Sequence, residues 1–269
     1  MAVLYALSDI HGQLAAFKAA LRQVNLNKPG NRLFLLGDYI DYGPESGPTL
    51  RYIYKLQQIF GSRRVVALKG NHEVRLLEWL AAYNWRAKED ELPVWSDWLA
   101  ADKEAGFITL RSLLSAGAWA EFAAAMHNNE EEVNRIAARL LLRENQRLLE
   151  WLRRLPLYYE TERQIFVHAG ILEEAGDLWA FGTPEHVFTE KFPAAFGPFY
   201  KDIIAGHIAT ADLAGEPDYH RIFWDGQSHY YIDGGGSLPV LQYDTVSERY
   251  TELSGGAERS IRKFSIFMQ

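Results

Sequence analysis

Five short motifs rich in acidic, histidine or asparagine side chains are spread along this chain of 269 residues, and each follows an apolar run. In chain order they are SDIHG with Asp9 and His11, GDYIDYG with Asp38 and Asp41, GNHE with Asn71 and His72, VHAG with His168, and AGH with His207. A single histidine at the end of an apolar strand is more often a structural residue than a ligand. Five such motifs favour one shared site, because open α/β sheets build their sites at the carboxyl ends of strands.

These motifs combine carboxylates, imidazoles and one carboxamide. The chain contains no cysteine, which excludes disulfides, thiolate metal ligands and a cysteine nucleophile. Nitrogen and oxygen ligands suit Mn, Fe, Zn or Mg. One aspartate with a histidine two residues on can hold one ion, a carboxamide with two distant histidines can hold another, and a carboxylate between them can bridge. Two ions ~3.5–4 Å apart polarise a phosphoryl oxygen and activate water for in-line attack.

The apolar runs before the motifs predict strands that alternate with helices. We expect strands at residues 2–7, 32–36 and 64–68, with helices over about Ser46 to Phe60 and from about Glu73 onward. This alternation indicates a sheet with βαβ crossovers. The near-continuous apolar character of the strands is typical of strands that are buried on both faces.

Residues 85–153 differ from the rest of the chain, because they show long helical patterns and no convincing strand. We interpret them as a cap-like helical insertion within a single domain of residues 1–269. The segment carries four tryptophans: Trp85, Trp95, Trp98 and Trp119. Core packing is the better interpretation for most of them, although Trp85, Trp95 or Trp98 could stack on a nucleotide base.

The strand pattern returns after Pro156. The segments QIFVHAG and DIIAGH each predict a strand, and YHRIFWDG, SHYYIDGGG and PVLQYD are typical of short strands in an antiparallel sheet. The whole pattern predicts an α/β fold with two sheets and helices outside them.

Composition limits the partners of this chain. Hydrophobic residues make up 48% and charged residues 23%, which is typical of globular proteins. The net charge of −7 argues against binding to a nucleic-acid polymer, although nucleotides remain candidate substrates. The N-terminus does not resemble a signal peptide, and no stretch approaches ~18 uninterrupted apolar residues. We therefore predict a cytoplasmic protein with no membrane partner.

The motifs DIHG, GDYIDYG, GNHE, HAG and GH, in this order, resemble the calcineurin-like metallophosphoesterase superfamily. The closest resemblance is to its phosphoprotein-phosphatase branch, whose fold is a β-sandwich flanked by helices, and it covers residues 1–84 and about 160–245. It implies two divalent cations, with manganese preferred over Fe, Zn or Mg. The implied metal ligands are Asp9 and His11 for the first ion, Asp38 as the bridge, and Asn71, His168 and His207 for the second. His72 would be the general acid, oriented by Asp41.

Two departures from this branch bear on substrate recognition. Tyr42 stands where the protein phosphatases usually have a phosphate-binding arginine, and the segment from His168 to His207 contains lysines but no arginine. Neither tyrosine nor lysine replaces the bidentate fork of arginine. Arg75 should share the helical face of His72 and could supply the missing cation, or it could be a surface arginine; Arg111 is a weaker candidate.

The sequence therefore predicts a dinuclear-metal phosphoesterase that acts on a phosphorylated substrate without a covalent enzyme intermediate. A Ser/Thr phosphatase is the leading interpretation. The alternative is a nucleotide or dinucleoside-polyphosphate hydrolase, since the symmetrical diadenosine-tetraphosphate hydrolases also vary this loop and carry a helical insertion. Their usual loop, however, lacks the aspartate present here as Asp41. A metal-binding scaffold without activity is disfavoured, because it would have no physical need for the complete ligand set and the His72–Asp41 pair.

Overall fold

The computed structural model describes residues 2–83 and 97–261. Its strands are β1 (Val3–Leu7), β2 (Arg32–Leu35), β3 (Val65–Ala67), β4 (Tyr158–Glu160), β5 (Gln164–Val167), β6 (Asp202–Ala205), β7 (Phe223–Trp224), β8 (His229–Tyr231), β9 (Val240–Asp244), β10 (Arg249–Ser254) and β11 (Ala257–Ile261). Its α-helices are α1 (Leu14–Leu21), α2 (Ser46–Phe60), α3 (Asn71–Tyr83), α4 (Trp98–Glu104), α5 (Ile108–Leu113), α6 (Ala116–Ala125), α7 (Glu130–Arg153), α8 (Trp179–Gly182), α9 (Glu185–Glu190) and α10 (Thr210–Ala214). A 3₁₀ helix spans Glu173–Leu178.

The described strands form two mixed sheets. The first has the order β11-β10-β9-β1-β2-β3, and the second has the order β4-β5-β6-β8-β7. Strands β1, β2 and β3 run parallel to one another, as do β5, β6 and β8. The parallel strands form one side of the first sheet, with β3 outermost, and the centre of the second sheet, and within each sheet they all end at the same edge.

The two sheets pack face to face, and helices cover their outer faces. In β1, Leu4 and Ala6 belong to the core between the sheets, whereas Tyr5 and Leu7 belong to the core under the helices. This alternation follows from the two-residue period of a strand. Because both faces of β1 are buried, the strand is apolar along its whole length. Phe34 of β2 stacks on Phe166 of β5 with ring centroids 3.8 Å apart, which joins the two sheets. The predicted two-sheet architecture with helices outside is confirmed.

The segment predicted as an insertion is helical where the structure describes it. Residues 97–153 form α4 to α7, and buried side chains of these helices pack in the same core as the outer face of the first sheet. Trp98 is buried there, and Trp119 is half-buried against Phe122. Trp85 and Trp95 lie outside the described residues. The limits of the insertion at 85 and 153 stay a prediction.

The expected antiparallel arrangement of the late strands is wrong in part. β7 and β8 form an antiparallel hairpin, but β8 also pairs in parallel with β6 in the second sheet. β9 crosses to the first sheet, where it pairs antiparallel with β1. The glycine-rich segment of residues 234–236 lies between them, and positive φ angles at Gly235 and Gly236 let the chain turn from one sheet to the other. The direction of strand pairing depends on which strand is the partner, and the local sequence does not determine that.

Within the described ranges, no helix combines the length and the apolar character that crossing a membrane requires.

Candidate metal centre

Five loops at the carboxyl ends of parallel strands carry the side chains predicted to form the site. Asp9 follows β1, Asp38 follows β2, Asn71 begins α3 after β3, His168 follows β5, and His207 follows β6. The loops are tied together by backbone bonds, since the amide of His11 donates to the carbonyl of Asp38 at 2.9 Å. Because β1, β2 and β3 belong to the first sheet and β5 and β6 to the second, the site spans both sheets.

The carboxylate of Asp38 is the centre of this cluster. Its Oδ2 atom lies 3.4 Å from Nε2 of His168 and 3.8 Å from Nε2 of both His11 and His72. Burial alone would raise the pKa of Asp38, but the charges of His168 and His72 hold it well below its usual range. Asp38 is thus ionised and faces three imidazole nitrogens in a buried place.

Backbone carbonyls orient two of these imidazoles. The Nδ1–H of His11 donates to the carbonyl of Ile40 at 2.8 Å, and the Nδ1–H of His168 donates to the carbonyl of Leu36 at 3.0 Å. A carbonyl only accepts, so the proton of a neutral ring sits on Nδ1 and Nε2 presents its lone pair to Asp38. This is the orientation that histidine ligands of metals adopt.

The donor set fits divalent cations. Nε2 of His168 lies 3.0 Å from Oδ1 of Asn71 as well as close to Asp38, so electron-rich atoms face each other in a buried place. Burial alone would lower the pKa of His168, but the charges of Asp38 and Asp9 raise it to about 9. The raised pKa means that His168 binds a proton here. A cation bound between His168, Asp38 and Asn71 would replace that proton and would give all three side chains a partner.

Two groups of potential ligand atoms share Asp38. One joins Asp38 with His11 and His72, the other joins it with His168 and His207, and in each group the atoms lie within 4.8 Å of one another. The carboxylate of Asp9 is buried and accepts the backbone amide of His207, with Oδ2 at 3.1 Å. The structure thus brings all six predicted ligands into one place, with His72 in the group where the resemblance placed Asp9.

Glycines let the motif loops approach each other. A Cβ atom at Gly70 would overlap the Asp38 carboxylate, and a Cβ atom at Gly206 would overlap Asp9 and the hydroxyl of Ser8. Any larger residue at either position would displace a predicted ligand.

Backbone strain is concentrated at the site. Among the described residues, eight that are not glycine have a positive φ angle, and six of these are predicted site residues: Asp9, His11, Asp38, Asp41, Tyr42 and His207. The left-handed region costs a residue with a Cβ roughly 1–2 kcal/mol. Strain of this kind gathers where function requires a particular side-chain direction.

His72 and Asp41 form a hydrogen-bonded pair at the edge of the cluster. The Nδ1–H of His72 donates to Oδ2 of Asp41 at 2.7 Å, which turns Nε2 toward Asp38. Burial alone would lower the pKa of His72, but the charges of Asp38 and Asp41 and the bond to Asp41 raise it above its usual value. The predicted contact between the two side chains is present.

A cavity of about 150 Å³ adjoins this pair. Its lining includes Asp41, Tyr42, His72, Arg75, Trp98 and Asp102. Tyr42 is 72% exposed, and its ring meets the rings of His11 and His72 edge-on with centroids 4.8 and 5.2 Å away.

The two predicted substrate-binding residues therefore both lie at this cavity. Arg75 has its Nη2 atom 3.6 Å from Glu190 Oε1. Arg111 lies elsewhere, with its guanidinium 5.3 Å from the ring centroid of Trp119. Trp98 is only 3% exposed, so its ring offers no free face for stacking.

The family model described as calcineurin-like phosphoesterase matches residues 3–211, more than three quarters of the chain. The chain belongs to this family. Members use divalent metals, in agreement with the His/Asp groups around Asp38. The predicted family and fold class are confirmed.

Curated relatives of this calcineurin-like phosphoesterase include two symmetrical bis(5'-nucleosyl)-tetraphosphatases. That of Nitrosococcus oceani is 24% identical over 204 residues, which are 75% of this chain and 54% of that protein. That of Pseudomonas fluorescens strain Pf0-1 is 31% identical over 169 residues, which are 62% of this chain and 41% of that protein. The chain thus spans about half, or less, of the length of these relatives. Both relatives are, by their names, hydrolases of dinucleoside tetraphosphates.

A solved structure shows the same fold as this calcineurin-like phosphoesterase. It is a cold-active protein tyrosine phosphatase, 15% identical in sequence, with a TM-score of 0.56 over 97% of this chain and 79% of that one. At this level of identity the likeness concerns the fold alone.

Sequence reasoning assigned no role to Glu73, which the structure places beneath the site of this phosphoesterase. Glu73 is fully buried, and its carboxylate accepts the backbone amides of Asp38 and Tyr39 at 2.8 Å and of Gly70 at 2.9 Å. Burial and the charge of Asp38 raise its pKa to about 7. The side chain ties the loop of Asp38 to the loop of Asn71. The sequence contained one indication of this role, which is the presence of an acidic residue inside the GNHE motif, in the first turn of α3.

Asp233 was also missed. It follows β8 in the segment YIDGGG, and its Oδ1 accepts the amide of Gly235 at 2.8 Å. Burial, followed by the charge of Asp233, raises the pKa of Asp9 well above its usual value, so Asp233 acts electrostatically on a predicted ligand. An aspartate between an apolar strand and glycines repeats the pattern of GDYIDYG and could have identified it.

Proposed function

We propose that this calcineurin-like phosphoesterase hydrolyses dinucleoside tetraphosphates with the help of two divalent cations. The observation that carries the chemistry is the convergence of His11, His72 and His168 on one oxygen of the buried Asp38. The similarity to symmetrical bis(5'-nucleosyl)-tetraphosphatases supports the substrate class.

The residues proposed to hold the cations are those predicted from the sequence: Asp9, His11, Asp38, Asn71, His168 and His207. Asp38 would bridge the two ions because both groups of potential ligand atoms share it. When bound, the cations would supply Lewis-acid stabilisation of phosphoryl charge and activation of water. Manganese is the proposed metal, with Fe, Zn and Mg as the other N/O-compatible choices.

His72 is the proposed general acid. Its Nδ1–H is held by Asp41, so Nε2–H is the group that can reach the leaving oxygen. In symmetrical cleavage the bond between the two central phosphates breaks, water supplies the new oxygen, and two nucleoside diphosphates leave. The role of Asp41 is to keep the ring in this orientation and to support its positive charge.

Arg75 and Tyr42 are the proposed substrate contacts. Both line the cavity beside His72, which places a cation and an exposed aromatic ring next to the reacting centre. A dinucleoside tetraphosphate carries both negative charge and aromatic bases, so it suits this pair of side chains. The helical insertion of residues 85–153 is the proposed outer wall, since Trp98 and Asp102 of α4 line the same cavity.

A Ser/Thr phosphoprotein phosphatase is the second candidate, and the His72–Asp41 bond favours it. An alkoxide from serine or threonine is a poorer leaving group than a nucleoside diphosphate, so it gains more from an oriented acid. The phosphoprotein-phosphatase branch resembles this chain in having that aspartate.

A substrate screen of the manganese-loaded full chain tests the proposal. We expect diadenosine tetraphosphate to be consumed with ADP as the product and without AMP or ATP, measured by anion-exchange chromatography. Phosphoserine and phosphothreonine peptides form the second arm, and the Asp38→Asn variant serves as the inactive control. Turnover of the peptides without turnover of diadenosine tetraphosphate would contradict the proposal and favour the second candidate.

A further inference from the structure

Both oxygens of the Asp41 carboxylate accept hydrogen bonds from the helical insertion. The hydroxyl of Thr109 in α5 donates to Oδ1 at 2.7 Å, and the indole N–H of Trp98 in α4 donates to Oδ2 at 3.3 Å. Oδ2 also accepts the Nδ1–H of His72 at 2.7 Å. The partner of the proposed general acid is therefore held from three sides.

The two oxygens have different environments. Oδ2 accepts from His72 and Trp98, whereas Thr109 supplies the side-chain donor to Oδ1. A carboxylate rotates readily about the bond to its Cβ unless both oxygens are held, because terminal sp³–sp² torsions are broad. The Thr109 hydroxyl therefore sets the plane of the carboxylate and the direction from which Oδ2 meets His72.

Thr109 is itself anchored independently of Asp41. Its backbone amide donates to Oδ1 of Asp102 at 3.0 Å, and the amide of Leu110 donates to Oδ2 of Asp102 at 2.9 Å. Thr109 is fully buried, and its hydroxyl lies 3.3 Å from that of Ser46 in α2. The start of α5 thus places the hydroxyl where Asp41 needs it.

We infer that Thr109 is a positioning residue for proton transfer, which aligns His72 by fixing the Asp41 carboxylate from the helical insertion. This inference rests on the proposed function, because it assigns a consequence to the alignment of His72. Thr109 does not line the cavity, so its effect reaches the substrate through Asp41 and His72 alone. Its loss should change the protonation of the leaving oxygen and leave substrate affinity unchanged.

The test uses the manganese-loaded full chain and two aryl phosphates that differ in leaving group. Phenyl phosphate has the poorer leaving group and 4-nitrophenyl phosphate the better one. For Thr109→Val we expect kcat on phenyl phosphate to fall about tenfold, equivalent to ~1.4 kcal/mol. On 4-nitrophenyl phosphate we expect a fall of less than about threefold, because that oxygen needs little protonation. KM should stay within about twofold for both esters, and Thr109→Ser should restore kcat.

Thr49→Val is the matched control. Thr49 is equally buried, and within the described residues its hydroxyl has no hydrogen-bond partner. This variant should keep the kcat of the wild-type protein on both esters. The melting temperature of each variant shows whether a fall in kcat accompanies a loss of folding. A fall in kcat of Thr109→Val that Thr109→Ser does not reverse would overturn the inference.

Two further variants separate the inference from the proposed function. In an Asp41→Asn background, Thr109→Val should cause no further loss, because the carboxylate it aligns is absent. Thr109→Val with wild-type kcat, beside a His72→Asn variant with strongly reduced kcat, would overturn the inference alone. His72→Asn with wild-type kcat on phenyl phosphate would overturn the proposed acid and the inference together.

Discussion

Asp41 and Tyr42 are adjacent in the chain, share a left-handed backbone and differ in exposure. Their φ angles are 66° and 60°, and this turn sends Asp41 inward to His72 while Tyr42 stays exposed. The ring of Tyr42 nevertheless touches the edges of His11 and His72. It is therefore not a buried packing residue, and it lines the cavity beside His72.

Changing Tyr42 to arginine tests what this rim position contributes. We expect Tyr42→Arg to lower KM for small phosphomonoesters, because a charge-assisted contact to phosphate is worth roughly 1.5–3 kcal/mol at best. KM for diadenosine tetraphosphate should not fall in the same way, since the aromatic face is lost. Steady-state kinetics on both substrates measures the difference.

Phe181→Arg controls for the added charge, because Phe181 is exposed and lies outside the cavity lining. It should leave both KM values unchanged. If Tyr42→Arg binds phosphomonoesters no better than the wild-type protein, Tyr42 takes no part in phosphate recognition.

At the scale of elements, the junction between α4 and α5 connects the insertion to the site. Phe107 precedes α5 with a φ angle of 58°, and its amide donates to the carbonyl of Asp102 at 2.6 Å. The Asp102 side chain then accepts the amides of Thr109 and Leu110, which α5 cannot satisfy within its own first turn. One buried carboxylate thus defines where α5 begins.

Replacement of Asp102 should reveal a pH-dependent contribution to stability. Burial raises its pKa, the amides of Leu110 and Thr109 lower it, and the result is about 6, above the value near 3.8 of a free aspartate. The folded state therefore holds this proton more tightly than the unfolded state. The stabilisation is complete below the unfolded pKa and is lost as pH rises through about 6.

We therefore expect the free energy of unfolding of the wild-type protein, relative to Asp102→Asn, to fall between about pH 4 and 6. The fall should reach about 3 kcal/mol at most, and the difference should level off above it. Urea unfolding across this range measures it. Asp102→Ala should differ from Asp102→Asn in overall stability while giving the same dependence on pH. A difference that stays constant with pH would contradict the assignment.

On the scale of the whole molecule, the site joins the two sheets. Asp9, Asp38 and Asn71 come from the first sheet, whereas His168 and His207 come from the second. Cations held between them would act as a cross-link and would satisfy buried charges that otherwise face each other. Metal binding should therefore stabilise the fold as well as support activity.

Metal removal tests this expectation directly. Protein prepared without chelator should hold close to two ions per chain, and a chelator should lower its melting temperature. Ligand present at about 100 times its dissociation constant stabilises by ~2.7 kcal/mol, which corresponds to roughly 5–10 °C in a chain of this size. Readdition of manganese should restore the original value. Elemental analysis and differential scanning calorimetry provide the two measurements.

The Asp38→Asn variant is the control, because the proposed bridge between the ions is removed. Its melting temperature should respond little to the chelator. An active protein with almost no bound metal and no response to the chelator would contradict the dinuclear site.

Local sequence was sufficient to predict the strand–helix alternation and to identify the acidic, histidine and asparagine side chains that cluster at the strand ends. Asp9, Asp38 and His168 each lie directly after a strand, so chain connectivity alone puts each of them at the carboxyl end of its own strand. Glycines within the same motifs allow the close approach. These features depend on neighbours a few residues away, which is the range over which a sequence pattern is informative.

Only the tertiary structure revealed how the site is braced and how the late strands pair. Thr109 lies 68 positions from Asp41, and Glu73 lies 35 positions from Asp38, so no local pattern connects either pair. β9 belongs to the first sheet because it pairs antiparallel with β1, which lies at the other end of the chain. Hydrogen bonds and strand pairs of this kind depend on how distant elements pack together, and their directions exist only once the chain has folded.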